Sequence, residues 1–125
     1  MPAYNFQAKF APLVESGEKR QTIRAIGKRR HARPGERVQL YTGMRTKACR
    51  KLVTPDPVCT KVLPIRMEKN QQGGLNVDLD GVAVNALRTA EADGFRTAHE
   101  MLEFFERTHG LPFEGVLIRW EASDA

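Results

Sequence analysis

Cysteine is nearly absent from this chain of 125 residues, which contains only Cys49 and Cys59. Two cysteines are too few for the disulfide framework of a small secreted domain, and no CxxC pair occurs. The segment MPAYNFQAKF lacks the basic and then apolar layout of a signal peptide, so we expect reduced thiols and a cytoplasmic protein. The three histidines show no metal-ligand spacing, and the sequence predicts neither a metal site nor a cofactor.

Long apolar runs are also missing, which excludes a membrane-spanning helix and a membrane partner. The hydrophobic content of 41% and the charged content of 28% are typical of a soluble globular protein. A chain of this length fits one domain with a core of its own. We therefore expect a single domain over residues 1–125.

Acidic residues are scarce between Glu18 and Lys51. This segment contains twelve Lys or Arg residues and only two acidic ones, Glu18 and Glu36, so its net charge is +10. Residues 52–125 carry twelve acidic and seven basic side chains. This uneven distribution of charge favours a polyanionic partner, and RNA or a nucleotide is the leading candidate. The alternative is a basic surface that only keeps the protein soluble. The candidate nucleic-acid contacts are Arg20, Arg24, Arg29, Arg30, Arg33, Tyr41, Arg45 and Lys47.

Periodicity in the first half of the chain predicts mostly strands. A short helix is expected before Gly17, and a basic loop with a Pro-Gly turn should follow the second strand. A proline is confined to sheet edges or bulges, so Pro64 indicates that its strand lies partly at an edge or is bulged. The predicted strands cover residues 4–10, 21–26, 37–42 and 59–69, and the predicted helix covers residues 12–16.

The second half of the chain gives clearer signals. Asp80-Gly81 stands between two alternating apolar runs, which predicts a β-hairpin. Thr97 and Glu100 have the spacing of a helix capping box, and the segment GVLIRW predicts a buried closing strand. These elements predict an α+β protein, with a small, partly open β-barrel and about two packed helices. The apolar stripe of the capped helix should be Ala98, Met101, Leu102 and Phe105.

Four fragments in order resemble the ASCH domain family of PUA-like proteins, in particular its small stand-alone bacterial or phage members. They are GEKRQTIR, RPGERVQLYTG, EADGFRTAHEMLEFFERTHG and GVLIRWE, and the resemblance covers the chain from about Phe6 to Trp120. The family pattern is a Gly-x-Lys-x-x-Thr-Ile-Arg strand, a Pro-Gly turn, a Gly-Phe helix start and a closing strand that ends in Trp. The resemblance implies a PUA-like β-barrel and a function directed at RNA or nucleotides.

The resemblance implies more than one activity. Small members of the family include amidohydrolases of acetylated cytidine and ribonucleases, and other members are non-catalytic RNA-binding modules. The amidohydrolase pattern places a Lys and a Thr at Lys19 and Thr22, and a Glu just before the Gly-Phe helix start. In this chain the carboxylate is Glu91 or Asp93, of which Asp93 fits the spacing better and is shorter than the Glu of the pattern.

Lys19 and Thr22 are three residues apart, so within one strand their side chains would point to opposite faces. Both reach one pocket if Lys19 lies in the turn before the strand, which Gly17 permits. A threonine hydroxyl needs a base beside it, and a buried Lys with a lowered pKa can be that base or can stabilise an oxyanion. Arg24 shares the face of Thr22 and is placed to bind phosphate bidentately.

Each candidate also has a structural interpretation. Thr22 and Arg24 are ordinary strand residues, and a carboxylate at Glu91 or Asp93 can simply favour the start of the next helix. Tyr41 can stack on a base or can pack into the core. Three functions therefore remain open from the sequence: a hydrolase of RNA or of a modified pyrimidine nucleoside, an acetylcytidine amidohydrolase, and an RNA-binding module without chemistry.

Overall fold

The structure, a computed structural model, describes residues 2–122. Within these residues, eight strands and three helices form an α+β fold, so the predicted class is confirmed. The strands are β1 Ala3–Phe6, β2 Gln21–Ala25, β3 Gln39–Thr42, β4 Arg50–Lys51, β5 Cys59–Lys69, β6 Leu75–Leu79, β7 Val82–Val84 and β8 Phe113–Trp120. The helices are α1 Ala11–Ser16, α2 Ala86–Ala92 and α3 Ala98–Thr108.

The strands form two sheets. The larger sheet is antiparallel with the order β2-β8-β5-β6-β7, and the smaller has the order β1-β3-β4 with β1 and β3 parallel. Strand pairing within the described residues does not close these sheets into a barrel, and a partly open arrangement is compatible with them. The helices number three in residues 2–122, where about two were expected.

Strand β8 is the inner strand on which the larger sheet is built. It pairs with β2 on one side and β5 on the other, and Phe113, Leu117, Ile118 and Trp120 are buried along it. A strand that is buried on both faces has a nearly continuous run of apolar residues in its sequence, as the segment GVLIRW has. The predicted closing strand is therefore confirmed, with Trp120 in the core.

Strand β5 has the predicted bounds. It pairs with β8 on one side and with β6 on the other, and Pro64 lies just before the part that pairs with β6. Pairing with β6 begins at Ile65, and the carbonyl of Pro64 accepts a hydrogen bond from the Asp80 N–H. In an antiparallel strand the N–H and C=O of a residue point to the same side, so the donor that proline lacks falls beside the hairpin turn. A register shift lies between Cys59 and Lys61. The expected edge or bulge is therefore confined to the first half of β5.

The hairpin at Asp80-Gly81 is confirmed. Both residues have positive φ, 53° and 81°, as a type I′ turn requires. The next element, α2, was not predicted, although Asn85 is a sequence signal for it: the Asn85 side chain accepts a hydrogen bond from the Arg88 N–H as an N-cap.

Three predicted strands are shorter than their alternation indicated, β2 by a single residue, since it ends at Ala25. β1 ends at Phe6, because residues 7–10 form a turn in which the Phe10 N–H donates to the Gln7 carbonyl, so the prediction of a strand through residue 10 is wrong. β3 begins at Gln39, and Arg37 forms only an isolated bridge with Val58. The alternation at residues 7–10 arises from helix entry, which side-chain periodicity over four residues cannot distinguish from a strand.

Helix α3 carries the predicted N-cap at Thr97 and three of the four residues of the predicted stripe in the core, whereas Ala98 is half-buried. Thr97 Oγ1 accepts a hydrogen bond from the Glu100 N–H at 3.0 Å, and Met101, Leu102 and Phe105 are buried. These side chains join one core cluster with residues of both sheets. No helix in residues 2–122 has the length and apolar character that a bilayer crossing requires.

Candidate active site

Lys19 lies in the turn between α1 and β2, as its spacing from Thr22 requires. Gly17 ends α1 in the left-handed conformation, with φ of 84°, and the Lys19 N–H then donates to the Leu13 carbonyl at 2.9 Å. β2 begins two residues later, at Gln21. The turn directs the Lys19 side chain into the same pocket that Thr22 lines from the strand.

A buried ion pair joins Lys19 to Asp93, the residue that ends α2. Lys19 Nζ lies 3.0 Å from Asp93 Oδ1 and donates to the Asp93 backbone carbonyl at 2.6 Å. The side chains are only 4% and 7% exposed, and Gln21 Nε2 makes a long contact of 3.5 Å with the same carboxylate oxygen. Asp93 is therefore the carboxylate beside Lys19, whereas Glu91 is exposed and lines, with Glu18, a neighbouring groove that Lys19 also borders.

Burial moves both groups of this pair towards their neutral forms. It lowers the pKa of the Lys19 ammonium, an effect that the Asp93 carboxylate opposes and the Arg24 guanidinium reinforces. It also raises the pKa of the Asp93 carboxyl, against the attraction of Lys19. A neutral amine is therefore easier to form at Lys19 than at a surface lysine.

Arg24 holds the Thr22 hydroxyl in place, a role that the sequence did not indicate. Its Nε donates to Thr22 Oγ1 at 2.9 Å, and its Nη2 donates to the Asn5 carbonyl at 2.8 Å. The guanidinium lies over the rings of Tyr4 and Phe6, 5.3 and 5.2 Å from their centroids. A cationic donor on Oγ1 stabilises an alkoxide there and leaves the hydroxyl hydrogen free to be donated elsewhere.

The pocket has a volume of about 190 Å³ and is walled mainly by aromatic rings. Phe95 packs against Phe10 and Phe104, with ring centroids 5.3 Å apart in both pairs, and His109 adds an imidazole ring stacked on Phe105. His109 was not predicted, because nothing in its spacing links it to Lys19. The polar lining includes Lys19, Thr22, Arg24 and Asp93.

The other predicted basic residues lie outside this pocket. Arg30 is held by a fork of two bonds to Glu36, at 2.7 and 2.9 Å, and the Arg33 N–H donates to the same carboxylate. These donors lower the pKa of Glu36 to about 2. Arg20, Arg29 and Arg33 are exposed.

Tyr41 belongs to the smaller sheet, where the Lys51 ammonium lies 5.7 Å from its ring centroid. The loop after Tyr41 carries Arg45 and Lys47, both exposed. This loop reaches the rim of the pocket, since the Met44 N–H donates to the side chain of Asn5, which lines it. The structure therefore brings Lys19, Thr22, Asp93 and Arg24 together in one pocket, which neither Tyr41 nor Glu91 lines.

Gly94 allows the close approach of α2 to Lys19. Its φ is 96°, and an added Cβ would lie 2.9 Å from Phe10 Cδ1 and 3.2 Å from Lys19 Cδ. Gly94→Ala should therefore lose about 1–2 kcal/mol to backbone strain and about 1–3 kcal/mol more to crowding. Chemical denaturation measures the loss, and Gly73→Ala is the matched control, because Gly73 has φ of 82° and open space at its Cβ. Equal losses in the two variants would show that Phe10 and Lys19 yield without cost.

Within residues 2–122, Cys49 and Cys59 are both free thiols. The same part of the chain contains no group of three or more His, Cys, Asp or Glu side chains arranged to hold a metal ion. No protein-family model, curated protein or solved structure matches the chain.

Proposed function

We propose that this chain is an ASCH-type protein with a PUA-like fold, which binds a pyrimidine nucleoside or nucleotide and hydrolyses an amide bond on its base. The observation that carries the proposal is the buried Lys19–Asp93 pair in a pocket that Thr22 also lines. The four motifs in family order and the α+β architecture support the PUA-like assignment.

The dimensions of the pocket favour one heterocyclic base as the ligand. Its volume of about 190 Å³ is smaller than the roughly 300–1,000 Å³ of sites that enclose drug-sized ligands. Rings of Phe10, Phe95 and His109 form its walls, and aromatic side chains are the usual partners of an unstacked base. A single base therefore fits better than a length of folded RNA.

The polar groups supply what amide hydrolysis needs. Neutral Lys19 accepts a proton from Thr22 or from water, and the oxygen then attacks the acyl carbonyl. The ammonium that forms at Lys19 stabilises the developing oxyanion and returns the proton to the leaving amine as the C–N bond breaks. When water attacks, an acylated cytidine and water give cytidine and a carboxylic acid directly. When Thr22 attacks, its Oγ1 carries the acyl group as an ester, and water then hydrolyses the ester to release the carboxylic acid and restore the threonine, with Lys19 accepting the proton of that water. Asp93 holds Lys19 in position in both cases.

A second candidate is an RNA-binding module without chemistry, and a third is a ribonuclease that would use the same basic surface to bind RNA. Of the twelve cations in residues 18–51, four form ion pairs within the described part of the chain, and eight remain for phosphates. The four pairs are Lys19–Asp93, Arg30–Glu36, Arg50–Glu15 and Lys51–Asp56.

A turnover screen over acylated cytidines and single-stranded RNA, followed by chromatography of the products, tests the proposal. We expect release of the carboxylic acid from an acylated cytidine, lost in Lys19→Met and kept in Lys61→Met, which changes an exposed lysine on β5. Binding of RNA without turnover of either substrate would favour the non-catalytic module. Cleavage of RNA that depends on Lys19 would favour the ribonuclease.

A further inference from the structure

A second cavity, of about 510 Å³, adjoins the Lys19 pocket on the far side of Arg24. Each ionisable side chain on its walls other than Tyr4 is an arginine or a histidine. The described residues that line it are Pro2, Ala3, Tyr4, Arg24, Ala25, Arg29, Arg30 and His31.

Arg24 is the wall between the two cavities, because it lines both. It is half-buried, and within residues 2–122 no carboxylate lies within 4 Å of its guanidinium. Its bonds go to a hydroxyl and to a backbone carbonyl, neither of which cancels its charge. The Asp93 carboxylate acts on Arg24 from beyond ion-pair distance, and it is already paired with Lys19. Buried charges in proteins are normally paired, so an unpaired cation at this position indicates that a ligand supplies the anion.

The wall beside Arg24 is held in one arrangement. His31 Nε2 lies 2.9 Å from the Ala25 carbonyl, and His31 Nδ1 lies 3.1 Å from the Tyr4 hydroxyl. The Tyr4 hydroxyl also accepts a hydrogen bond from the Ala32 N–H. Because the Ala25 carbonyl can only accept, His31 Nε2 carries a proton and donates it to that hydrogen bond. This network fixes the side of the cavity that faces Arg24 before any ligand binds.

Arg29 completes the cationic lining. It is exposed, and unlike Arg30 it makes no ion pair with a carboxylate in the described residues. Arg30 is held by Glu36, so it contributes less net charge to the cavity than Arg29 does.

We propose that this cavity is a phosphate subsite, and that the ligand is a nucleotide whose base occupies the Lys19 pocket while its phosphate lies between Arg24 and Arg29. The inference rests on the proposed function, because that function is what places the base in the Lys19 pocket. It narrows the substrate from a nucleoside to a phosphorylated one, either a mononucleotide or a nucleotide at the end of an RNA strand.

Isothermal titration calorimetry with cytidine, cytidine 5′-monophosphate, cytidine 3′-monophosphate and inorganic phosphate tests the subsite. We expect at least one monophosphate to bind about tenfold or more tightly than cytidine at low salt, with an advantage that shrinks as salt is added. Arg29→Gln should remove most of this advantage and leave cytidine binding unchanged. Lys28→Gln is the matched control, since it removes one charge from the same exposed loop but lies outside the cavity.

The remaining outcomes separate the two proposals. Equal affinities for cytidine and both monophosphates would overturn the subsite and leave the base pocket standing. Failure of cytidine and both monophosphates to bind would overturn the subsite together with the proposed function. Inorganic phosphate that binds as tightly as the monophosphates would show an independent anion site and overturn the link to the base.

Discussion

Replacing Lys19 with Met should lower the turnover of an acylated cytidine by about 10²- to 10⁴-fold, the usual contribution of a positioned general base. Only the neutral amine can accept a proton, and burial already lowers the pKa of Lys19 below that of an ordinary lysine. The fraction of neutral amine increases as pH rises through that lowered pKa. Activity of the unmodified protein should therefore rise with pH and level off below the ordinary lysine range.

The variant Lys19→Arg distinguishes two possible roles of Lys19, a general base and a fixed positive charge. The guanidinium keeps the charge beside Asp93 but does not give up its proton, so we expect this variant to be nearly as inactive as Lys19→Met. Steady-state kinetics across pH measure both effects, and circular dichroism confirms that each variant is folded. If Lys19→Arg keeps most of the turnover with a flat pH profile, Lys19 acts as an electrostatic anchor and not as a base.

The position of Lys19 could be predicted from the sequence because strand geometry is so restrictive. Two side chains three residues apart cannot share a face of one strand, so a common pocket for Lys19 and Thr22 required a turn, and Gly17 provided it. The Asp80-Gly81 hairpin could be predicted for a similar reason, since few residues accept positive φ at both turn positions. Local rules of this kind depend on neighbouring residues alone.

The choice between Glu91 and Asp93 depended on where α2 ends, and α2 itself was missed. Successive residues of a helix are rotated by about 100° about its axis, so a shift of one residue in the end of α2 would change which carboxylate points towards Lys19. A Schellman motif ends α2: Gly94 has φ of 96°, its N–H donates to the Glu91 carbonyl, and the Phe95 N–H donates to the Ala90 carbonyl. The packing of Gly94 against Phe10 and Lys19, which are far from it in the chain, then brings this end of the helix to Lys19.

The role of Arg24 could not be predicted either. Its bond to Thr22 spans two residues, but its direction is set by the Asn5 carbonyl and by the rings of Tyr4 and Phe6. Those groups come from the smaller sheet, whose position beside β2 no local pattern encodes. The sequence indicated a phosphate ligand for Arg24, and the structure adds a positioning contact to the Thr22 hydroxyl.

Asp93→Ala should destabilise the fold by about 3–5 kcal/mol, because it leaves the buried Lys19 ammonium without its carboxylate. Part of this loss is relieved when Lys19 releases its proton, which the missing carboxylate makes easier. A lysine whose pKa in the folded state is below its unfolded value is destabilising below the folded pKa, and the penalty fades as pH rises to the unfolded pKa. The variant should therefore be least stable relative to the parent at acid pH and should recover in alkaline solution.

Urea denaturation of a double-mutant cycle checks this result. Lys19→Met with Asp93→Ala removes both charges, so the double variant should lose less than the two single losses combined. Glu91→Ala is the matched control on the same helix: its side chain is exposed, and its removal should change the free energy of unfolding by no more than about 0.5 kcal/mol. Additive losses, or an Asp93→Ala variant as stable as Glu91→Ala, would show that Lys19 and Asp93 are not coupled and that the carboxylate does not hold the base.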